Sequence, residues 1–578
     1  MIEATGAQII VKMLERQGIT MAAGIPGGSI LPLYDELTRS SIKHILVRHE
    51  QAAGFIAQGM TRTTGKAAVC IATSGPGAMN LLTAIADARS DSIPMVAITG
   101  QVNSYLIGTD AFQEADTFGL SFPITKHSIM VKSPLELLEA IPLAFSIAES
   151  GRPGPVLIDI PRDVQTAKCT FEAWPEPGRV ERNATRFRTE GNDLAQALDT
   201  FAQMIKEAQR PVLYAGGGCN SPEAAEGIKQ LLEAKPMPVV SSLMGIGCVP
   251  ESIQNWCGMV GMHGSYTANK AMHDADLVIA AGVRFDDRAT GVVSKFCPNA
   301  KILHIDIDAA EVNKIMPSVC HIIADCESAL PALSQRIREL SDIKDTSQWL
   351  NSICEIKAQE KSNLDKQHAD KTMMNPRSFI SSIPEYAKKA GISPEDIIVT
   401  TDVGQHQMWT AQFYPIEKPR QLLTSGSLGT MGFGLPAAIG AALANPDKRV
   451  VCFSGDGSIM MNIQELATLS EQNLNVTVIV LENGSLGMVR QQQEFLFQKN
   501  YSACLFQKQP DLLAIASGFG IPSVDVADSE DWYKTAFPKN DSESCGPRFV
   551  RCKIAQAENV FPFVPAGKAN IEAITGIN

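Results

Sequence analysis

A chain of 578 residues is too long for one core and divides, at typical domain sizes, into three or four units. With 45% apolar and 19% charged residues it has the composition of an ordinary globular protein. Its net charge of −12, with both signs mixed along the chain, gives a surface that repels phosphate backbones and anionic lipid and argues against nucleic-acid binding.

The chain opens on MIEATGAQIIVKMLERQG, an amphipathic helical pattern with no basic-then-apolar leader before it. Thirteen cysteines are scattered without a Cys-x-x-Cys pair, and Cys70 and Cys452 sit inside strand-like apolar runs. Such usage fits small buried hydrophobes in a reducing compartment and neither a disulfide framework nor a zinc site. The longest apolar stretch, 432–444, is too short for a bilayer and is broken by Gly and Pro436. A cytoplasmic protein is expected.

Short apolar runs alternate with helical periodicity, so the expected class is α/β: three consecutive doubly wound parallel-sheet domains. In the first, 1–165, strands are predicted at 67–72, 95–99 and 156–160, with helices after Gly77 and over 135–149. Glu50, in HILVRHEQAAGFIAQGMTR, stands where an apolar strand ends and a helix begins. That helix is rich in small residues (Ala52, Ala53, Gly54, Ala57, Gly59), which suits close packing against another domain. Residues 167–191 lose the pattern and read as a linker.

The second unit, 190–340, has predicted strands at 211–214, 277–281 and 302–306. Its Tyr214-Ala215-Gly216-Gly217-Gly218 is a glycine-rich strand exit able to cradle a diphosphate, with arginines to pair it, although Gly-x-Gly-x-x-Gly spacing is lacking. Residues 341–375, polar and lysine-rich, are predicted as a partly helical connector. The third unit, 376–560, carries predicted strands at 397–400, 450–453 and 476–481.

That third unit holds the densest chemistry. VVCFSGDGSIMMN runs from a strand through Gly455-Asp456-Gly457-Ser458 into a predicted helix, and VIVLENGSLGMV places Asn483 27 residues after Asp456, at the next strand's end. Mg²⁺ takes six oxygens and commonly combines one or two protein ligands with phosphate oxygens. Asp456, the Asn483 amide oxygen and a backbone carbonyl near Ser485 are the expected protein share. The glycines allow close backbone approach, and the helix after Ser458 is expected to aim its N-terminus at a diphosphate. A lone Gly-Asp-Gly is most simply a capped turn; with the strand and the spaced Asn it resembles the thiamine diphosphate motif. Glu482 departs from it, standing where many relatives have the first of two Asn, but the metal ligand maps to the second, Asn483.

Thiamine chemistry needs a carboxyl group that shares a proton with the cofactor's aminopyrimidine, and Glu50 lies in a segment resembling the pyrimidine-binding domain of such enzymes. IPGGSILPLYDEL, TSGPGAMN, IGTDAFQE, SGRPGPVLIDIP, GVRFDDR, HIDID, TDVGQHQMWTAQ and SGSLGTMGFGLPAAIGAA extend the likeness. Over residues 3–566 the chain resembles the catalytic large subunits of the acetolactate synthase (acetohydroxyacid synthase) family, bacterial biosynthetic type.

The resemblance implies domains binding the pyrimidine, FAD and the diphosphate with Mg²⁺, in that order. It implies decarboxylation of pyruvate and condensation with pyruvate or 2-oxobutanoate, in branched-chain amino acid synthesis. Val403, Gly404, Gln405 and His406, with Gly457 and Ser458, would hold the diphosphate; Met431 would lie under the cofactor and Gly429 at the pyrimidine. Gly28, Ser29, Phe112, Gln113, Arg162 and Gln492 would line the substrate pocket, Gln113 also joining Glu50 as catalytic. Arg152, Gly216, Gly217, Gly218, His263, Arg284, Asp287, Arg288, Asp306 and Asp325 would bind FAD. Two chains would pair, each cofactor lying between the first domain of one and the third of the other, with a small regulatory subunit as further partner. Arg162 replaces a Lys and Gln492 a Trp found in many relatives. A flavin-dependent pyruvate oxidase shares the three-domain plan and is the alternative; glyoxylate carboligase has Val where Glu50 stands. A nucleotide-binding regulatory protein that had lost activity would need none of Glu50, Asp456 and Asn483.

Overall fold

Runs such as AVCIA and MVAITGQ, buried along their whole length, require helices on both faces of a sheet. The protein, in a computed structural model that describes residues 1–178, 192–364, 370–538 and 545–576, meets that requirement three times. The first domain contains β1 (Ile2–Thr5), β2 (Met21–Gly24), β3 (Lys43–Leu46), β4 (Ala68–Ala72), β5 (Met95–Gln101), β6 (His127–Met130), β7 (Pro155–Pro161) and β8 (Lys168–Phe171). The middle domain contains β9 (Pro211–Ala215), β10 (Val239–Ser241), β11 (Trp256–Met259), β12 (Leu277–Ala281), β13 (Lys301–Asp306) and β14 (Cys320–Ile323). The third contains β15 (Ile397–Thr401), β16 (Leu422–Leu423), β17 (Arg449–Gly455), β18 (Val476–Glu482), β19 (Ser523–Asp525) and β20 (Arg548–Lys553).

Each domain is built on a parallel six-stranded sheet, ordered β3-β2-β4-β5-β7-β6, β11-β10-β9-β12-β13-β14 and β16-β15-β17-β18-β20-β19. Every sheet starts inside, grows outward to one edge, then returns to grow the other way. The reversals fall between β2 and β4, β9 and β12, and β15 and β17. At the carboxyl ends flanking such a reversal the following loops part in opposite directions and leave a crevice for ligand. Both glycine-rich strand exits singled out in the sequence, 216–218 after β9 and 455–458 after β17, lie at these places.

Two expectations need correction, part of the linker and the helix after Ser458, whereas the partly helical connector is borne out. Residues 168–171, read as linker, form β8 and pair antiparallel with β1 at the start of the chain, Ile2 opposite Phe171; the rest of that reading, from 179 to 191, lies outside the described residues. The connector carries the helix Ser347–Leu364, which belongs to the middle domain: Trp349 Nε1 donates to Pro211 O at 3.1 Å and Lys357 Nζ to Trp256 O at 2.6 Å. The segment after 560 returns to that domain as well, with Val564 N on Met262 O at 3.0 Å and Asn570 Nδ2 on Ala289 O at 2.8 Å. No α-helix follows Ser458. One 3-10 turn, Ile459–Met461, ends at Asn462, whose amide binds Gly432 O at 2.8 Å and Gln51 Oε1 at 3.1 Å, and the next α-helix is Glu465–Glu471.

The small-residue helix Glu50–Thr64 does pack against another domain. It crosses the helix Gly434–Ala444 of the third domain at backbone contact: a Cβ on Gly59 would stand 2.2 Å from Ala437 O, and one on Gly440 2.0 Å from Ile56 O.

Candidate active site

At the β15/β17 reversal the chain passes from Asp402 through Val403 and Gly404 into the helix Gln405–Phe413, whose N-terminus has no side-chain cap. This helix, and not one after Ser458, offers free N–H groups to an anion. His406, on its first turn, is buried against Gly404 and Gly455, where an added Cβ would come within 2.9 Å of its ring. Burial pushes its pKa down to about 3, so the imidazole is neutral, and its Nε2 has no hydrogen-bond partner among the described residues. Gln405 turns inward, its amide donating to Gln491 Oε1 and Glu558 O, both at 2.9 Å.

Asp456 follows β17 and is 3% exposed. Its Oδ2 accepts Gly484 N at 2.7 Å, Asn483 N at 3.2 Å and the Gln509 amide, whereas Oδ1 has only Gly457 N at 3.1 Å. Burial pushes this carboxyl up to about 6 against those donors. A buried acid with one oxygen held by a single backbone donor has room for a cation. Asn483 lies beside it, its amide nitrogen 3.3 Å from Gln405 Oε1 and its oxygen accepting Ser485 N at 3.0 Å and Oγ at 3.1 Å. The Gly484 carbonyl already accepts Phe506 N and Gln556 Nε2, which leaves that of Ser485 as the neighbouring backbone oxygen. No cluster of three or more His, Cys, Asp or Glu among the described residues forms a cage, as expected where phosphate oxygens complete the shell. An orphan His406 nitrogen, an uncapped helix and a buried Asp456 oxygen with a single donor at one crevice fit a diphosphate with Mg²⁺. Gly457 faces Leu486, and the Ser458 hydroxyl is spent inside the turn on Ser454 and Gly455. Gly429, at φ +67°, lies over Val403, with Met431 half-buried two residues on.

The first domain gathers its candidates at the β2/β4 reversal. Ser29 Oγ is 2.6 Å from Ser74 Oγ, and Gly28 beside it is exposed with open space at its Cα. Glu50 heads the helix Glu50–Thr64, accepts Asn80 Nδ2 at 2.9 Å, and packs on Gly77. Gln113, held at φ +60°, presses its backbone on Gly75, and Phe112 is 88% exposed. Arg162 is exposed at the start of a single helical turn, Arg162–Thr166. Gln492 lies half-buried on the helix Gly487–Leu496.

In the middle domain Gly217 and Gly218 are exposed at the β9/β12 reversal, and Gly216 and Gly218 touch Gly282 so closely that a Cβ on either would sit 2.0 Å and 2.8 Å from its backbone. That bare backbone cradle fits a dinucleotide diphosphate. Arg284 reaches Ser427 of the third domain, and Asp287 and Arg288 are exposed on the turn Asp287–Thr290. Burial pushes Asp306 up to about 7 and His263 down to about 4. Two expected flavin residues are already engaged: Arg152 pairs with Glu311 at 2.7 Å and Asp308 at 3.2 Å, and Asp325 caps the helix Cys326–Arg338.

Sequence reasoning missed Asn80, Asp402, Gln509 and the buried acids Asp87 and Asp91. Asp402, pushed up to about 6 by burial, accepts Val403 N and Gly432 N, both at 2.8 Å, and so ties the Met431 loop to β15. Two acids four residues apart on a helix otherwise rich in Ala, Leu and Ile are the available signal for the Asp87–Asp91 pair.

Three parallel-sheet domains, each opening a crevice at its reversal, with a metal-seeking acid in the last, define a thiamine diphosphate-dependent enzyme. The chain matches the thiamine pyrophosphate enzyme N-terminal TPP binding domain over residues 4–120, the central domain over 198–333 and the C-terminal TPP binding domain over 402–552. It is 48% identical over 571 residues to the acetolactate synthase isozyme 1 large subunit of Escherichia coli K12, covering 99% of this chain and 97% of that one. It is 43% identical over 569 residues to the isozyme 2 large subunit of the same organism, covering 98% and 99%. To the acetolactate synthase large subunit of Corynebacterium glutamicum it is 42% identical over 572 residues, covering 98% and 89%. The chain belongs to the acetolactate synthase large-subunit family.

Proposed function

We propose that the protein decarboxylates pyruvate and joins the two-carbon unit to a second 2-oxo acid, pyruvate or 2-oxobutanoate, as the catalytic subunit of an acetolactate synthase in branched-chain amino acid synthesis. The observation that carries this reading is the third-domain crevice, where a buried Asp456 oxygen with a single backbone donor stands with the orphan His406 nitrogen at an uncapped helix. Asp456, Asn483 and the Ser485 carbonyl would hold Mg²⁺; Val403, Gly404 and His406 would hold the diphosphate; Gly429 and Met431 would shape the rest. The chemistry a bound thiamine diphosphate would supply is a nucleophilic carbon for the 2-oxo acid and an electron sink for the decarboxylation. Glu50 would share its proton with the aminopyrimidine, and Asn80 at 2.9 Å holds the carboxylate in place for it. Gly28, Ser29, Phe112, Gln113, Arg162 and Gln492 are the proposed substrate-side residues.

Arg152, His263, Arg284, Asp287, Arg288, Asp306 and Asp325, with Gly216 to Gly218, would hold FAD as a structural group, because no step of the condensation passes electrons to an outside acceptor. We take the domains as 1–165, 190–340 and 376–560, extended by β8, the helix Ser347–Leu364 and the C-terminal return. All thirteen cysteines are free, which suits a reducing cytoplasm, and no helix among the described residues is long and apolar enough to cross a membrane. Large exposed apolar side chains, Phe112, Phe122, Phe497 and Met461, support a second copy covering them, and a small regulatory subunit is the further partner.

The test is purified protein given pyruvate, Mg²⁺ and FAD, with and without thiamine diphosphate, scored for acetolactate. Acetolactate only with thiamine diphosphate, and a flavin that keeps its colour, is the expected result. Full activity without thiamine diphosphate overturns the scheme, and flavin bleaching at the turnover rate identifies an oxidase instead.

A further inference from the structure

Beneath the segment 425–431, between the first and third domains, three ionisable side chains are shut away from solvent. Arg62 is 6% exposed at its side chain, and Asp87 and Asp91 are 0% exposed. Arg62 stands near the end of the helix that Glu50 heads; the acids lie a turn apart on the helix Pro76–Asp91. Arg62 Nη2 meets Asp91 Oδ2 at 2.9 Å and Asp87 Oδ1 at 3.5 Å, and Gln58 Oε1 accepts from the same nitrogen at 2.8 Å.

Apart from Arg62 Nε, which also donates to Gln58 Oε1 at 3.3 Å, the cluster's further bonds go to the third domain. Arg62 Nη1 donates to Thr424 O at 3.0 Å. Asp91 accepts Ser427 N at 2.8 Å and Gly426 N at 2.9 Å. Asp87 Oδ2 accepts Thr430 Oγ1 at 2.9 Å and the Ser425 hydroxyl. Arg284 of the middle domain holds Ser427 from the other side, so all three domains converge on this one loop. A buried ion pair adds little net stability compared with apolar packing, so stability alone gives no reason for two acids and an arginine here. What an apolar cluster cannot supply is acceptors for two backbone N–H groups and two hydroxyls of a loop that carries Gly429 and leads into Met431.

We propose that Arg62, Asp87 and Asp91 are positioning residues for the cofactor, setting from the first domain the course of the loop on which Gly429 and Met431 meet thiamine diphosphate. This rests on the cofactor reading above. Asp91→Asn keeps the size of the side chain but sets an NH₂ group against one of two backbone donors.

The experiment measures thiamine diphosphate affinity by calorimetry at saturating Mg²⁺, and amide hydrogen exchange of 425–431 in the cofactor-free protein, for native chain, Asp91→Asn and Asp91→Glu. Losing hydrogen bonds to a charged acceptor is worth about 10- to 100-fold, so Asp91→Asn should bind that much more weakly while Gly426 and Ser427 exchange faster. Asp91→Glu, which restores the carboxylate, should recover part of both. A native chain that binds no thiamine diphosphate sinks the cofactor reading, and the loop's role with it. Native binding matched by Asp91→Asn removes only the network's role. Weaker binding with unchanged exchange, or no recovery in Asp91→Glu, reduces the cluster to general structure and overturns the proposal. Should Asp91→Asn not fold, Thr430→Val leaves the cluster intact and removes one neutral anchor. It should weaken binding about 3- to 10-fold, and unchanged affinity overturns the proposal equally.

Discussion

Gln492 sits between two glutamines that are fully occupied. Gln491 binds Gln405 and both polar groups of Val560, and Gln493 binds both backbone groups of Ser502. Gln492 itself makes no side-chain hydrogen bond among the described residues and remains half-buried. A flexible amide gives no flat apolar wall for the one methylene that separates 2-oxobutanoate from pyruvate, worth about 1–3 kcal/mol, or 10–200-fold, in a fitted pocket. Weak discrimination is therefore expected, with acetolactate the main product at equal acid levels, and Gln492→Trp should raise the preference for 2-oxobutanoate in competition assays. An unchanged ratio after substitution would place the residue outside the pocket. A second residue-scale prediction concerns Asp159, fully buried on β7 with Thr99 Oγ1 at 2.7 Å and Gln101 Nε2 at 3.0 Å. Burial pushes its carboxyl up to about 7, above the unfolded value of about 4. The native state thus keeps a proton that the unfolded chain has released, so this group favours folding at low pH and loses that contribution as pH rises through about 7. Three units correspond to at most about 4 kcal/mol, and Asp159→Asn should remove that part of the slope, gaining on the native chain at pH 8 relative to pH 4. Parallel stability curves from chemical denaturation at the two pH values would contradict it.

The crossing of Glu50–Thr64 with Gly434–Ala444 depends on two glycines that let backbone touch backbone. Gly440→Ala would drive a methyl to within 2.0 Å of Ile56 O, and no rotamer relieves a clash with backbone. Overpacking of this kind costs roughly 1–3 kcal/mol. The helices must part, so both the melting temperature and turnover should fall; a native-like melt would show that the crossing tolerates separation. This crossing was legible beforehand in the small residues of the first helix. So were the central strands: β4, β5, β7, β12 and β17 are buried throughout and mostly apolar, because both faces are covered. Edge and short strands such as β6, β14 and β16 carry polar or few residues and gave no such run. The helix expected after Ser458 failed for a tertiary reason, since Asn462 is drawn to Gly432 and Gln51. The anion-facing helix lay in the QHQMW segment, where a near-absent apolar stripe hid a helix buried on most sides. Catalytic candidates were read by likeness to a motif; Asp87, Asp91 and Gln509 escaped because their partners lie tens to hundreds of residues away in sequence.

At the scale of the whole molecule, the first-domain crevice bearing Glu50 and the third-domain crevice bearing Asp456 are each bordered by uncovered apolar side chains. Phe112 adjoins Gln113, whose backbone presses on Gly75 in the first, and Met461 and Phe497 follow the metal-side segments of the third in sequence. A closed two-fold pair buries the same patches on both copies and can seat the first domain of one chain over the third domain of the other. Such a site takes its acid and its metal ligand from different chains, and that arrangement has a consequence no single-chain site shares. Glu50→Gln and Asp456→Ala should each be inactive as pure proteins, one lacking the proton-sharing acid and the other the anionic metal ligand. Mixed at equal amounts under conditions that exchange subunits, about half of the dimers contain one of each chain. In such a dimer one site joins both defects, and the other joins an intact Glu50 to an intact Asp456. Activity should therefore return to about a quarter of the native level. Sites built within one chain would give no recovery at any mixing ratio, because every chain carries one lesion. Co-purification of the untagged variant through a tag carried by the other verifies that subunits have exchanged, so a silent mixture of exchanged dimers would establish that each chain catalyses alone.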